Sequence, residues 1–256
     1  MNKTSVTIIS KKIIAKETIE LTFHAEGYVN QISPGQFIHI NVGNGSSNLL
    51  RRPISIADVD VDSQIVTIIF KIVGVGTDQL SRTEVGDKLD ILLPCGSGYP
   101  INQLELDRAL IIGGGIGVPP LYYLAKQLNK QGVAVTAVIG FQSKDYVFYE
   151  SKFKELGNCH VVTDDGSYGF KGFVTDLLND TPIDYDYFFS CGPTGMLKAV
   201  STQLKNRNGY ISIEQRMGCG VGACYACVVP TNDGTNGFKK ICKDGPVFQA
   251  NEVVLV

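Results

Sequence analysis

The stretch ALIIGGGIGVPPLYYLAKQLNKQG, residues 109–132, decides the fold of the second half of this chain. Its first four residues are apolar and run into three glycines, which is the pattern of a short buried strand followed by a tight turn. Leu121, Leu124, Ala125 and Leu128 then share one face of a helix, and Gly132 marks its end. A strand that passes through glycines directly into a helix is the opening unit of an α/β sheet.

Further units of the same kind follow along the chain. The buried strand patterns are VAVTAVIGF (133–141), CHVVTDD (159–165) and DYFFSCGP (186–193). The helical patterns are centred on YESKFKEL (149–156), FVTDLLND (173–180) and MLKAVSTQLKNRN (196–208). Because strands and helices alternate, we predict a central parallel, doubly wound α/β domain over residues 101–210, with helices on both faces of the sheet.

Residues 1–100 carry a different pattern, that of short strands without helices. VTIIS, TIELTFHA, QFIHINV, QIVTIIFKIVG and DKLDILLP are rich in β-branched residues, and turn signals such as SPG, GNGSSN (43–48) and EVGD separate them. Strands of this length and spacing are typical of an antiparallel barrel or sandwich. The chain therefore reads as a multidomain β plus α/β protein.

A third region, residues 211–256, is organised around cysteines. Cys219, Cys224 and Cys227 follow the spacing C-x4-C-x2-C, and Cys242 comes after fourteen further residues. This is the spacing of plant-type 2Fe–2S ligation, in which four thiolates hold the cluster. Glycines at 218, 220 and 222 keep side chains away and leave backbone N–H groups free to point at sulfur. We predict a small C-terminal iron–sulfur segment, with zinc or four unrelated buried thiols as the alternatives.

Composition excludes several other classes of protein. The 256 residues are 44% apolar and 19% charged, with a net charge of −2 and no basic tract, so we expect no nucleic-acid partner. No run reaches the ~18 apolar residues of a membrane span, and the N-terminus does not have the pattern of a secretory signal. Seven cysteines, an odd number, do not suit a secreted disulfide framework. We expect a cytoplasmic protein without a membrane span.

Two short motifs indicate nucleotide binding. RRPIS (51–55) combines an arginine fork suited to phosphate with a serine hydroxyl. GGGIGVPP (113–120) reads as Gly115-x-Gly117-x-x-Pro120 between a strand and a helix, where a dinucleotide pyrophosphate can approach the backbone. Each motif alone is weak, because arginines before strands are usually solvated and glycine loops are usually turns. Their order along the chain gives them weight.

That order resembles the ferredoxin reductase family of flavoproteins. The likeness covers residues 1 to about 210: a β domain with R-x-x-S, then an α/β domain that opens with G-x-G-x-x-P and closes with C-G-P. With the cysteine segment added, the whole chain resembles the electron-transfer subunits of type B dihydroorotate dehydrogenases. The motifs that carry this resemblance are RPIS, IVGVGT, GGGIGVPPL, CGP, GCGVGACYACVV and DGPVF.

The resemblance implies three cofactor sites. An FAD site in a barrel (1–100) would use Arg52, Pro53, Ile54, Ser55, Ile69, Phe70, Lys71, Gly76 and Thr77. An NAD site would use Gly115, Gly117 and Pro120, with Cys191, Gly192 and Pro193 beside the nicotinamide. A 2Fe–2S cluster would be held by Cys219, Cys224, Cys227 and Cys242.

The implied function is an oxidoreductase relay rather than acid–base catalysis. NAD moves two electrons as hydride and a 2Fe–2S cluster moves one at a time, and a flavin does both. Electrons would pass from an FMN-containing dihydroorotate dehydrogenase catalytic subunit, in a heterotetramer of two of each subunit, through the cluster and FAD to NAD⁺ in pyrimidine (UMP) biosynthesis. We expect no catalytic side chain, and interpret His24, His39 and His160 as structural because they lie in or beside strand patterns.

Some residues leave alternatives open. The wider reductase family usually has tyrosine where this chain has Ile54, and Lys144 and Asp145 argue in opposite directions on NADP against NAD. A related subunit that serves ferredoxin or a sulfide-linked oxidoreductase is one alternative function. A zinc-stapled interaction module without enzymatic activity is the other.

Overall fold

A closed antiparallel barrel forms the first part of the chain in a computed structural model, which describes residues 1–43 and 49–255. Its strands, with one helix before the last of them, are β1 (Asn2–Ala15), β2 (Thr18–His24), β3 (Phe37–Ile40), β4 (Arg52–Asp60), β5 (Ile65–Lys71), α1 (Val75–Ser81) and β6 (Lys88–Cys95). The order around the barrel is β1-β2-β5-β4-β3-β6. Of the barrel and the sandwich, the barrel is therefore confirmed. Apart from Gly43, the turn predicted at 43–48 lies outside the described residues.

Alternation of side chains explains why these segments close into a barrel. Along β6 the residues alternate between exposed or half-buried and fully buried, so one face of the strand lines the interior. Leu21, Phe23, Ile38 and Ile68 meet in that interior and are fully buried. Helix α1 was not predicted, because Gly74 and Gly76 at its start disfavour a helix.

The second part is a seven-stranded sheet covered by helices. Its elements are β7 (Arg108–Gly114), α2 (Val118–Lys130), β8 (Ala134–Phe141), α3 (Glu150–Lys154), β9 (Gly157–Thr163), β10 (Phe170–Lys171), α4 (Val174–Asp180), β11 (Tyr187–Cys191), α5 (Thr194–Gln203) and β12 (Gly209–Ser212). The sheet order is β10-β9-β8-β7-β11-β12-β15, and all pairs up to β12 are parallel. The predicted doubly wound α/β domain is confirmed.

The C-terminal segment is packed onto that sheet. Its elements are β13 (Val228–Pro230), β14 (Phe238–Lys240), α6 (Ile241–Asp244) and β15 (Val247–Gln249). β13 and β14 form a two-stranded ribbon, while β15 pairs antiparallel with β12. The buried cysteines Cys227 and Cys242 therefore share one apolar cluster with Leu110 and Phe188 of the central sheet. The last strand of the sheet comes from the cysteine-rich segment, which sequence patterns did not indicate.

Polar contacts fix the barrel against the α/β part. Lys126 on α2 donates to both carboxylate oxygens of Asp58 on β4, at 2.7 and 2.9 Å. The buried Tyr149 hydroxyl donates to Glu20 on β2. Because these groups are largely buried and paired, they hold the two parts in one relative orientation. No helix among residues 1–43 and 49–255 is long and apolar enough to cross a bilayer.

Candidate cofactor and cluster sites

A cleft lies at the carboxyl ends of the parallel strands, where open α/β sheets bind their ligands. Strands β8, β9 and β10 lie on one side of β7 and β11 lies on the other, so the sheet reverses its order between β7 and β11. The turns after these two strands are the predicted GGGIGVPP and CGP motifs. The cleft holds a cavity of about 630 Å³, lined by residues that include Gly115, Ile116, Asp164, Tyr146 and, from the barrel, Lys71.

The two predicted NAD motifs touch each other. A side chain at Gly117 would place its Cβ 2.4 Å from the carbonyl carbon and oxygen of Cys191 and 2.5 Å from the nitrogen of Gly192. Gly115 has φ +53°, a left-handed conformation that favours glycine. Pro120 is buried in the first turn of α2 and does not line the cavity. Pro193 does line the cavity, and Cys191 beside it is fully buried.

The predicted flavin motif lies at the start of β4 rather than before a strand. The Arg52 guanidinium covers Gly76, where a Cβ would come 2.2 Å from Arg52 Nε. Glycine at 76 therefore makes room for the arginine. Thr77 acts locally: its hydroxyl accepts from the backbone N–H of Val73 at 2.9 Å and donates to the carbonyl of Gly74 at 3.1 Å.

The other predicted flavin residues point in different directions. Ile54 is half-buried and packs against the barrel core, and Phe70 is fully buried inside it. Ile69 packs with the α/β part instead. Lys71 reaches the cavity, with its Nζ 4.2 Å from the centre of the Tyr146 ring. The structure thus brings Lys71 into the cleft and turns Phe70 away from it.

Ser55 connects the flavin strand to the C-terminal segment. Its hydroxyl donates to Glu214 Oε1 at 2.9 Å. Glu214 is solvent-exposed, yet neighbouring protein atoms reduce the hydration of its carboxylate, and this desolvation raises its pKa to about 7 against the opposing effect of the Ser55 hydroxyl. Burial, with the Glu214 carboxylate nearby, also raises the pKa of the Cys191 thiol well above its usual range. Ser55, Cys191 and Glu214 are therefore neighbours from three separate regions of the sequence.

The four predicted ligand cysteines are gathered in two pairs. Cys219 accepts a hydrogen bond from the backbone N–H of Cys224 at 3.3 Å, and their thiols interact. Cys227 and Cys242 are both buried, and burial together with the Cys227 thiol raises the pKa of Cys242 to about 12. Among the described residues, no three His, Cys, Asp or Glu side chains are grouped to hold a metal ion in common. In a 2Fe–2S cluster the four cysteine sulfurs are shared between two irons.

Backbone donors surround the cysteine sulfurs. Besides Cys224, Val221 donates to Cys219 Sγ at 3.5 Å, and Gly222 donates to Cys242 Sγ at 3.2 Å. Burial by itself would raise the pKa of the Cys219 thiol, but the hydrogen-bond donors outweigh that effect and lower the pKa to about 6. Thiolates stabilised by N–H donors are the ligands that an iron–sulfur cluster needs, so the residues present fit the group.

The loop that carries these donors needs its glycines. Gly220 and Gly222 have φ of +69° and +80°. A Cβ at Gly220 would lie 2.2 Å from His39 Nδ1, and one at Gly222 would lie 2.7 Å from the Lys243 side chain. Burial, with Arg51 and Arg52 nearby, lowers the pKa of His39 to about 4, so its ring is neutral. The loop after Cys219 is therefore pressed directly onto β3.

Glu214 is the site residue that the sequence patterns did not indicate. Glu214 has no motif of its own and stands five residues before the first ligand cysteine. Tyr146 and Asp164 line the cavity, but they come from loops whose position only the sheet order fixes. Two further cysteines, Cys95 and Cys159, behave as small apolar residues, since burial raises the pKa of each thiol to about 12.

Comparison with known proteins shows to which family this chain belongs. The electron transfer subunit of dihydroorotate dehydrogenase B (NAD⁺) from Shouchella clausii is 47% identical over 252 residues, which is 98% of this chain and 97% of that protein. The subunit of the same name from Bacillus mycoides is 47% identical over 258 residues, which is 100% of both chains. This chain belongs to the family of dihydroorotate dehydrogenase B electron transfer subunits. It is thus an oxidoreductase subunit, as predicted.

Three further comparisons agree with the cluster segment or with the fold. Residues 214–254 match the model of the iron–sulfur cluster binding domain of dihydroorotate dehydrogenase B. The solved structure of an NADH-dependent reduced ferredoxin-NADP oxidoreductase is 30% identical, with a TM-score of 0.87, over 98% of this chain and 90% of that one. The flavohaem-like FAD/NAD binding domain of nitric oxide dioxygenase from Vibrio cholerae shares the fold, with a TM-score of 0.67 over 80% of this chain and 94% of that one, at 22% identity.

Proposed function

We propose that the chain takes electrons from an FMN-containing dihydroorotate dehydrogenase catalytic subunit and delivers them to NAD⁺ in the cytoplasmic synthesis of pyrimidines. It would work in a heterotetramer of two of each subunit, and would itself hold one 2Fe–2S cluster and one FAD. The observation that carries the proposal is the meeting of three motifs at one place. Ser55 of the flavin strand contacts Glu214, Glu214 lies beside Cys191 of the NAD motif, and the cluster loop follows Glu214 directly.

The three regions divide the work. We assign FAD to the barrel of residues 1–100, NAD to residues 101–210 and the cluster to residues 211–256. Arg52, held over Gly76, presents a fixed guanidinium of the kind that binds phosphate. Ser55 offers a hydroxyl at the same strand, and Lys71 adds a positive charge at the cavity wall. When bound, FAD supplies the exchange between hydride transfer and single-electron transfer.

The NAD motif provides space rather than side chains. Gly115 lines the cavity at the start of α2 without a side chain, so that a pyrophosphate can approach the backbone there, while the buried Gly117 lets the same turn pack against β11. The buried Cys191 and Gly192 close the floor of the same place, because Gly117 lies against their backbone. The turn between β7 and α2 and the turn after β11 therefore form one binding surface.

The cluster segment combines the metal ligands with an exposed apolar surface. Val221, Tyr225 and Phe238 are 40%, 74% and 65% exposed, although all three are large apolar residues. Tyr225 is held in place by Lys240, whose Nζ lies 4.3 Å from the ring centre. Exposed apolar side chains around a redox centre suit a subunit contact that brings the partner's flavin close. We propose this surface as the docking site of the catalytic subunit.

The first experiment tests dihydroorotate-dependent reduction of NAD⁺ by the tagged chain with whatever co-purifies from its own cells. We expect NADH to form with the complex and not with the isolated chain. A brown preparation that passes electrons from NADH to dyes but ignores dihydroorotate would overturn the assigned donor and leave the relay standing.

The docking surface has its own test. We expect Tyr225→Glu to reduce co-purification of the catalytic subunit at least tenfold while iron, sulfide and FAD contents stay unchanged. Ile13→Glu is the matched control, because Ile13 is 78% exposed but lies on the hairpin between β1 and β2 of the barrel. Equal loss of the partner in both variants would contradict the assignment.

A role toward ferredoxin is the second candidate function. It is favoured by the likeness, at 30% identity, to the NADH-dependent reduced ferredoxin-NADP oxidoreductase. Reduction of NAD⁺ or NADP⁺ by reduced ferredoxin, at a rate above that with dihydroorotate, would select it. Metal and sulfide analysis separates both from a zinc-stapled module, since a 2Fe–2S protein yields iron and acid-labile sulfide in equal amounts.

A further inference from the structure

His39 is a buried polar residue whose side chain has no hydrogen-bond partner within the described part of the chain. It is 0% exposed, and both Nδ1 and Nε2 are unpaired. A neutral imidazole carries one N–H donor and one acceptor, and to bury both unpaired is costly. An apolar residue would avoid this cost, so the histidine calls for an explanation other than packing.

The ring lies between two predicted cofactor sites. On one side, His39 pairs across the sheet with Pro53 of the flavin stretch and lies beside the backbone carbonyl of Arg51. On the other side it lies beside the carbonyl of the ligand Cys219, and Nδ1 occupies the space that a side chain at Gly220 would need. One rigid ring therefore touches both the strand that would hold FAD and the loop that would hold the cluster.

The position of this ring bears on the electronic properties of the cluster. The loop that rests on His39 presents the Val221 and Cys224 N–H groups to Cys219 Sγ. N–H donors to cluster sulfurs stabilise the reduced, more negative state, and so raise the reduction potential. If the ring no longer supported the loop at Gly220, the loop would shift and these donors would retreat from the sulfur.

We propose that His39 is a positioning residue that anchors the cluster loop to the flavin strand and thereby sets the reduction potential of the 2Fe–2S cluster. This rests on the proposed function, because it requires that the chain bind the cluster. With the cluster bound, the ring N–H would donate to the Cys219 carbonyl, which lies beside it. His39 is therefore part of the redox tuning rather than a filler of the barrel wall.

The test is a redox titration of the purified complex, followed by electron paramagnetic resonance of the reduced cluster. We expect His39→Leu to lower the equilibrium constant for reduction of the cluster at least tenfold, which is about 59 mV for a one-electron couple. His39→Gln retains an N–H donor, and we expect it to recover most of this loss. The matched control is Ile38→Val on the same strand, which perturbs the barrel core and leaves the loop untouched.

Each outcome is decisive. The inference fails, and the proposed function stands, if His39→Leu has full iron content and an equilibrium constant for cluster reduction within threefold of the wild-type value. It also fails if Ile38→Val shifts that constant as much as His39→Leu does. If His39→Leu and the unbranched His39→Met bind no cluster but His39→Gln binds it fully, the N–H anchor is supported. If none of the three variants binds the cluster, the inference is overturned. A wild-type complex without iron and sulfide overturns the proposed function, and this inference with it.

Discussion

Gly117→Ala is the substitution that best tests how the NAD motif is built. The added Cβ would lie 2.4 Å from the carbonyl carbon and oxygen of Cys191. Ordinary contact needs about 3.4 Å or more, so one backbone must move by roughly 1 Å. Both groups are main chain, in β11 and at the start of α2, and no flexible side chain can absorb the change. Overpacking of this kind costs about 1–3 kcal/mol of the free energy of unfolding.

The same movement would displace the pyrophosphate-binding turn. A misplacement of about 1 Å can cost ~10²-fold in rate, so we expect kcat/KM for NADH-dependent dye reduction to fall by about 10- to 100-fold. The melting temperature should fall by about 2–4 °C for each kcal/mol lost. Both are measured on the FAD-loaded protein, by steady-state kinetics and by circular dichroism.

Gly132→Ala is the matched control at the other end of α2. Gly132 has φ +83° and no atom within 4 Å of the added Cβ, so alanine there is strained but does not clash. We expect it to lower the melting temperature while kcat/KM stays within about twofold of wild type, since the turn at Gly117 is unchanged. Equal loss of kcat/KM in both variants, or an unchanged melting temperature in Gly117→Ala, would refute the reasoning.

Three further predictions follow from single side chains. In the folded chain the pKa of Glu214 rises from 4.5 to about 7, so the folded state binds the extra proton and stability falls as pH rises through this window. Glu214→Gln should therefore raise the free energy of unfolding at pH 8 by about 1 kcal/mol, a value reduced to account for solvent screening of this carboxylate, and leave it unchanged at pH 4. Urea titrations at the two pH values measure this, and an equal effect at both contradicts it. Tyr149→Phe removes the donor to the buried Glu20 carboxylate and should cost about 1–3 kcal/mol in the same assay. A cost below 0.5 kcal/mol would show that the contact is not needed. Cys227→Ser should abolish visible absorption of the cluster and its iron while FAD remains bound, and full retention of iron would remove Cys227 from the ligand set.

Much of the fold was predictable because its signals are local. The strand, glycine turn and helix of residues 109–132 follow from periodicity, and they appear as β7, a turn and α2. The alternation in residues 1–100 predicted strands but left barrel and sandwich open, because closure depends on how β1 pairs with both β2 and β6. Helix α1 was missed because its first turn is rich in glycine.

The candidate sites were predictable to different degrees. The cysteine ligands follow from spacing alone, since C-x4-C-x2-C reflects the geometry of the cluster itself. The flavin residues came from resemblance, and the structure separates Lys71, which reaches the cavity, from Phe70, which is buried in the barrel. That difference follows from the two-residue period of a strand, in which neighbours point to opposite faces.

The sequence by itself determined the order of the parts, the fold class of each region, the glycine turn and the four cysteines. Each of these is encoded within a few tens of residues, where periodicity and spacing act directly. The tertiary structure alone decided that Ser55 meets Glu214, 159 residues away, and that Gly117 lies against Cys191. It also placed His39 under the cluster loop. These contacts depend on how separate elements pack, and packing is set by the whole core rather than by any local pattern.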